Sequence, residues 1–190
     1  EKNFIKNSKL DCEILLSKTL KIKREKLLVN LDKKISNLEL YKYYQLLNRR
    51  KRKEPIAYIL GYKEFWKNKF FVNKNVLIPR PDTECIIEET LKLIPKNTSK
   101  NILDIGTGSG CIIISLLLER KKCYGTGIDI SKEAINIAKI NAKIQQIKNR
   151  LKFYKSDIDK FYLGKYDFIL SNPPYIKRSK IDYLDEDIRF

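Results

Sequence analysis

The chain contains no histidine. Without an imidazole ligand or base, a Cys/His zinc site and any histidine-based triad are excluded, and no metal site is expected. It contains no methionine either, so residue 1 is not expected to be the natural start. Its four cysteines, Cys12, Cys85, Cys111 and Cys123, form no CxxC pair and show no regular spacing. A reduced, cytoplasmic compartment follows as the expectation. Cys85, Cys111 and Cys123 stand in apolar surroundings and read as small core residues. No run of about 18 apolar residues occurs, so neither a membrane span nor a membrane partner is expected. An apolar signal-peptide core is also missing from the N-terminus.

What is present is a chain of 190 residues, 43% apolar, enough for one medium domain or a small domain plus part of another. Lysine and arginine total 40 against 23 acids, a formal +17. That excess suits partners carrying phosphate, such as nucleic acid or the ribosome. It equally suits a solvated surface on a chain rich in Lys, Ile and Asn. A monomer is expected.

Three regions are expected. Residues 1–66 read as a helical domain, with Leu10, Ile14, Leu15, Leu27, Leu28, Leu31, Leu38, Tyr41, Leu46 and Leu47 at helical intervals. Asp11, Asn30 and Asn37 are candidate caps. The run Arg49-Arg50-Lys51-Arg52-Lys53 reads either as a nucleic-acid patch or as the solvated end of a helix. Residues 67–81 read as a β-hairpin linker, with Phe70–Val72 and Val76–Ile78 flanking the turn Asn73-Lys74-Asn75. Asp82 or Thr83 would cap a helix to about Leu93, with Ile86, Ile87, Leu91 and Ile94 inward. From residue 101 strands and helices alternate. Strands are expected near 102–105, 124–130, 151–154 and 166–170, with helices over 111–119 and 131–144. The second of these would turn Ala134, Ile135, Ala138 and Ile140 inward. This is the rhythm of a parallel α/β sheet with helices on both faces.

Four constellations carry chemistry, all at strand ends. Asp104-Ile105-Gly106-Thr107-Gly108-Ser109-Gly110 joins a strand to a helix. Glycines let the backbone turn sharply and a ligand come close. The spacing is GxGxG, not GxGxxG, because residue 111 is Cys, and no Gly-Lys-Ser/Thr follows. An acid before such a turn suits a ligand with a cationic amino-acid tail, such as S-adenosylmethionine. Asp129, followed by Ile130, ends the second strand, where a carboxylate accepts ribose hydroxyls. Asp157 follows the third strand, where an adenine amino group would project, and Ile158 would cover the ring. Asn172-Pro173-Pro174-Tyr175 follows the fourth strand. There the Asn172 side-chain oxygen and the Pro173 carbonyl would hold the two N–H groups of a planar nitrogen, with Tyr175 packed beside it. Positioning and electrostatics would do most of the work, in keeping with the missing histidine. The plain alternatives are a glycine turn, a helix-starting Asp, a loop Asp and a proline-rich strand end.

Together these motifs resemble class I S-adenosylmethionine-dependent methyltransferases, with a Rossmann-like sheet. Asn-Pro-Pro-Tyr narrows the resemblance to enzymes acting on amino or amide nitrogens. Glu54-Pro55-Ile56-Ala57-Tyr58-Ile59-Leu60-Gly61, Phe65, and Leu77-Ile78-Pro79-Arg80-Pro81-Asp82-Thr83-Glu84 resemble the HemK/PrmC family. Those enzymes methylate the glutamine amide in the Gly-Gly-Gln motif of peptide chain release factors. The resemblance implies that Asp104, Gly106, Thr107, Gly108 and Gly110 line the cofactor tail. Asp129 and Ile130, Asp157 and Ile158, and Asn172 would complete its site. Asn172, Pro173, Pro174 and Tyr175 would hold the glutamine, with Asn172, Pro173 and Tyr175 the catalytic set. Pro79, Arg80 and Pro81 would wall the pocket, shaped further by Thr83 and Glu84. The N-terminal helices would dock the release factor.

The family's sheet has seven strands. Only four are expected before Phe190, so residues 82–190 read as an incomplete, C-terminally truncated methyltransferase domain of poor activity. The rival readings are an adenine-amino (N6) methyltransferase acting on RNA or DNA, and a degenerate module that binds the ribosome or nucleic acid without catalysis.

Overall fold

The structure is a computed structural model, and it describes residues 7–29, 32 and 34–173. The chain divides into two compact units between Leu60 and Gly61, earlier than the expected boundary at 66.

The first unit is helical: α1 (Ser8–Leu20), α2 (Arg24–Val29), α3 (Asn37–Lys51) and α4 (Ile56–Leu60). Its core holds Leu15, Leu27, Ala57 and Ile59. Leu38 and Tyr41, expected on the apolar stripe, are instead 61% and 62% exposed. α3 starts at Asn37, the expected cap, so its cap lies one residue earlier. Ser36 is the cap: its hydroxyl accepts from Glu39 N, and its own N–H donates to Glu39 Oε2 at 2.8 Å. That reciprocal pair is a capping box. Asp11 is not a cap either. It is buried and accepts from Arg50 Nε at 2.7 Å. Arg50 comes from the basic run, and its neighbour Arg49 donates to Glu54 Oε2 at 2.7 Å. Neither reading of that run covers Arg50, a buried ion-pair partner between α1 and α3. Asn30 and Leu31 lie outside the described residues.

The hairpin sits earlier than expected. β1 (Tyr62–Phe65) pairs antiparallel with β2 (Asn68–Phe71) across the turn Trp66-Lys67. Both turn residues have positive φ, 44° and 65°, the sign that tight hairpin turns need. Neither is Gly or Asn, so no local signal marks the turn. Tertiary partners hold it: Trp66 N donates to Glu84 Oε1 at 2.8 Å, and Trp66 Nε1 to Glu119 Oε1 at 3.0 Å. The residues read as a turn, 73–75, do form one, with Asn75 N donating to Asn73 Oδ1 at 2.9 Å. Residues 76–78 then run on without pairing as a strand.

The sheet contains β3 (Asn101–Ile105), β4 (Tyr124–Asp129), β5 (Leu151–Lys155) and β6 (Phe168–Ser171), all parallel in the order β5-β4-β3-β6. The helices of this unit are α5 (Glu84–Leu93), α6 (Cys111–Glu119) and α7 (Lys132–Ile144). No side chain caps α5. It follows a short 3₁₀ turn, Pro81–Thr83, started by the proline. Ser131 caps α7 as expected, accepting from Ala134 N at 3.1 Å. Ile87, Ile94, Ile113, Ile114 and Leu117 form one core with Ile102 and Leu151. The expectation of helices on both faces is not met by these three. The core residues of α5 and α6 share the sheet face that carries Ile102 and Leu151. α7, following another crossover that steps the same way, joins them there. Part of the positive charge works inside this unit. Arg120 is buried and donates to the Leu91 and Ile94 carbonyls, and Arg150 to those of Leu117 and Cys123. At Leu91, Ile94 and Leu117 these guanidiniums satisfy carbonyls that helix ends leave without partners. Cys111 and Cys123 are buried as expected, but Cys85 is exposed.

Candidate active site

Parallel strands all deliver their loops to one edge of the sheet. The order β5-β4-β3-β6 means that β3 is flanked by its successor β4 on one side and by the distant β6 on the other. The chain reverses direction across the sheet at β3, and a crevice opens at the carboxyl ends of strands at such a switch point. The glycine turn after β3, Asp129 at the end of β4, Asp157 after β5 and Asn172 after β6 all stand at this edge.

The loops are laced together by the backbone. Thr107 N donates to the Ile128 carbonyl at 2.9 Å, Ser156 N to the Asp129 carbonyl at 3.0 Å, and Ser171 Oγ to the Ile105 carbonyl at 3.1 Å. The Asp129 carboxylate is already partly engaged: Oδ2 accepts from Gly108 N and Oδ1 from Ser131 N, each at 2.9 Å. A carboxylate has about four lone-pair sites, so capacity remains for two hydroxyls.

Gly106, Gly108 and Gly110 have φ of 68°, 55° and 79°, the region that side chains disfavour. A Cβ on Gly106 would meet nothing within 4 Å, so this side of the turn is open to a ligand. A Cβ on Gly110 would lie 2.9 Å from Ile114 Cδ1 and 3.3 Å from Ala138 Cβ, so here glycine admits α7 instead.

Asp104 is 1% exposed. Its Oδ2 accepts from Thr107 Oγ1 at 2.7 Å, whereas Oδ1 is buried with no partner among the described residues. Burial pushes its pKa up to about 7, against the hydrogen bond from Thr107 and with a smaller push from Asp129. A buried, half-satisfied carboxyl is costly by itself and is complementary to a cation. With the open glycine turn, it fits the amino-acid tail of S-adenosylmethionine. Burial likewise pushes the Cys111 thiol up to about 12, which rules it out as a thiolate nucleophile at neutral pH.

The hydrophobic candidates Ile130 and Ile158 are 70% and 47% exposed, available to cover a flat ring. Asp157 is exposed and accepts from Asp159 N at 3.3 Å, so it starts a short 3₁₀ turn. The structure brings Asn172 to the Pro-Arg-Pro segment. Asn172 Nδ2 donates to the Thr83 hydroxyl at 3.2 Å, two residues beyond Pro81. Pro79 and Thr83 are buried, Arg80 half-buried and Pro81 exposed. Pro173 is exposed; Pro174 and Tyr175 lie outside the described residues.

The helical pattern puts Ile140 inside α7 and does not single out Asn141, yet Ile140 is 43% exposed and Asn141 is wholly buried. The signal was available: Asn141 sits between Ala138 and Ala142 on the apolar stripe, where an amide needs partners.

Two family models match in chain order: the PrmC N-terminal domain over residues 1–61 and the methyltransferase small domain over residues 88–185. A bifunctional methyltransferase of Rickettsia bellii is 42% identical over 199 residues, covering 90% of this chain and 36% of that protein. A release factor glutamine methyltransferase of Buchnera aphidicola is 41% identical, covering 95% of this chain and 65% of that protein. One from Leptospira interrogans is 40% identical over 195 residues, covering 99% of this chain and 67% of that protein. The chain thus spans between about a third and two thirds of the length of these curated relatives. The glycine turn, the strand-end acids and Asn172 occupy one sheet edge, and these likenesses span both units: the chain belongs to the release factor glutamine methyltransferase family.

Proposed function

We propose that this protein transfers a methyl group from S-adenosylmethionine to the side-chain amide nitrogen of the Gly-Gly-Gln glutamine in a peptide chain release factor. The observation that carries the reading is the placement of Asn172. It stands beside the glycine turn across the β3–β6 switch point, with its Nδ2 committed to Thr83. That leaves Oδ1 to accept from a substrate N–H.

The bound cofactor would supply an electrophilic methyl group on a sulfonium. Asp104 and the turn Gly106–Gly110 hold its amino-acid tail, Asp129 its ribose, and Asp157 with Ile130 and Ile158 its adenine. An amide nitrogen is a poor nucleophile because its lone pair is delocalised into the carbonyl. Asn172 Oδ1 and the Pro173 carbonyl accept its two N–H groups, fix the plane of the amide and aim the lone pair. By the family resemblance Pro174 and Tyr175 would support the glutamine side chain, and Pro79, Arg80 and Pro81 would wall the pocket. Fixing the reacting nitrogen in this way lowers the barrier by orientation, with no imidazole base to remove a proton.

Release-factor docking falls to the helical unit, through its exposed Leu38, Tyr41 and Tyr44 and its basic side chains. Electrostatic docking weakens with salt, so release-factor binding that ignores ionic strength would remove the charge from this account.

The deciding test incubates the protein and labelled methyl donor with a release factor and, separately, with RNA. Label in the release factor, lost when its glutamine is replaced by alanine, is the expected result. Label in RNA but not in protein overturns the proposal in favour of adenine-amino methylation.

A further inference from the structure

Asn141 has no part in the chemistry above, yet it is fully buried and bonded to the glycine turn. Its side chain makes three hydrogen bonds. Oδ1 accepts from Phe71 N at 2.7 Å, and Nδ2 donates to the Phe71 carbonyl at 3.0 Å and to the Ser109 carbonyl at 2.8 Å. Phe71 ends β2, ahead of the segment that leads to Pro79. Ser109 lies inside the glycine turn, between Gly108 and Gly110. One carboxamide therefore ties the hairpin to the cofactor turn.

The chemistry of the residue is specific to that task. Only an amide presents an acceptor to one N–H and two donors to two carbonyls from a single rigid plane. Leucine at this position would remove all three hydrogen bonds, and aspartate would set a carboxylate against two carbonyls. Movement at Phe71 is also transmitted. Val72 N donates to the Gly61 carbonyl at 3.2 Å, and Val72, Val76 and Pro79 are buried, so the intervening segment is anchored. On the other side, Gly110 packs on Ala138 of the same helix, which seats the glycine turn against α7.

We infer that Asn141 is a positioning residue that holds the Pro79–Pro81 wall and the glycine turn in one register. It makes cofactor affinity depend on the hairpin. The inference rests on the reading of the glycine turn as the cofactor site. Gln145, one helical turn later, provides the internal control. Its Nε2 donates to the Lys69 carbonyl at 3.0 Å, so it holds the same hairpin without reaching the turn.

The experiment uses the full chain with Asn141→Leu, Asn141→Ser and Gln145→Ala. Amide hydrogen exchange is followed without cofactor, and S-adenosylhomocysteine is titrated calorimetrically. Both Asn141 variants should speed exchange at Phe71 and at the glycine turn together, and weaken S-adenosylhomocysteine by about tenfold. Gln145→Ala should speed exchange in the hairpin alone, with affinity within about twofold of the parent. Folded Asn141 variants with parental exchange at the turn and parental affinity overturn the inference. A parent that binds no S-adenosylhomocysteine overturns the cofactor reading instead, while the exchange comparison still tests the tie. If neither Asn141 variant folds, the parent decides. Phe71 N and Gly110 N should exchange through one opening with equal protection, and separate openings overturn the inference.

Discussion

In the helical unit Asp11 is buried at 8% exposure against Arg50, 2.7 Å away. In the sheet unit Asp104 is buried at 1% exposure with one oxygen on Thr107 and the other on nothing among the described residues. The first carboxylate has its counter-charge inside the fold. The second has a hydroxyl and an unmet need. Breaking a buried pair is costly, yet an apolar pair of similar volume does as well, so Asp11 and Arg50 say little about function. A half-satisfied carboxyl at a strand end is costly by itself, which makes Asp104 the candidate of the two for meeting a ligand. The difference separates a buried charge answered inside the fold from one that is not.

The comparison breaks most visibly at Arg50. Arg50→Ala strands Asp11 and should lower unfolding free energy by about 3–5 kcal/mol, read by chemical denaturation. The double replacement Asp11→Leu with Arg50→Met should recover most of that loss. S-adenosylhomocysteine affinity of the folded variants should stay parental; a change would mean that Asp11 also serves the ligand.

At the candidate site, Asn172→Ala should cut label transfer to the release factor by about a hundredfold if the proposed positioning of the amide is lost. Its denaturation midpoint should move little, since Asn172 is only half-buried.

Asp104 sharpens the contrast through pH. Its pKa is raised from 3.8 to about 7 by burial, so the folded protein binds a proton there that the unfolded chain has released. Its contribution to stability is complete below the unfolded pKa and is lost as pH rises through the folded one. Between those values the parent should lose up to about 1.4 kcal/mol per pH unit relative to Asp104→Asn, with no further divergence above. Parallel stability curves for parent and variant would contradict the assignment. Asp104→Asn should also weaken cofactor binding, the reverse of its effect on stability at neutral pH.

The smallest effect is expected at Thr83. Thr83→Val removes the hydroxyl that receives Asn172 Nδ2 and keeps the volume, so transfer should fall by about three- to tenfold with cofactor affinity unchanged. An unchanged rate would show that Asn172 is oriented by other means.

Much of the site was legible because it obeys local rules. A glycine turn after a strand requires positive φ, and Gly106, Gly108 and Gly110 have it. Strand-end acids fall at the crevice edge because every parallel strand points there. Ser131 caps α7 because a hydroxyl before a helix has N–H groups waiting for it. What escaped was decided by distant partners. The Trp66-Lys67 turn carries no turn residues and is held by Glu84 and Glu119. Asp11 looked like a cap until Arg50 arrived from 39 positions away. Ile140, expected inward, is exposed and Asn141 is buried in its stead, because the hairpin backbone offers Asn141 partners.

The sequence by itself determined the parallel α/β plan, the glycine turn after β3 and the strand-end place of Asn172. Each depends on backbone geometry within a few residues. Only the tertiary structure decided which charges are structural, where the hairpin lies, and that Asn172 meets Thr83 while Asn141 bridges Phe71 and Ser109. Those outcomes depend on the partners that folding brings to a polar group, and separation along the chain does not encode them.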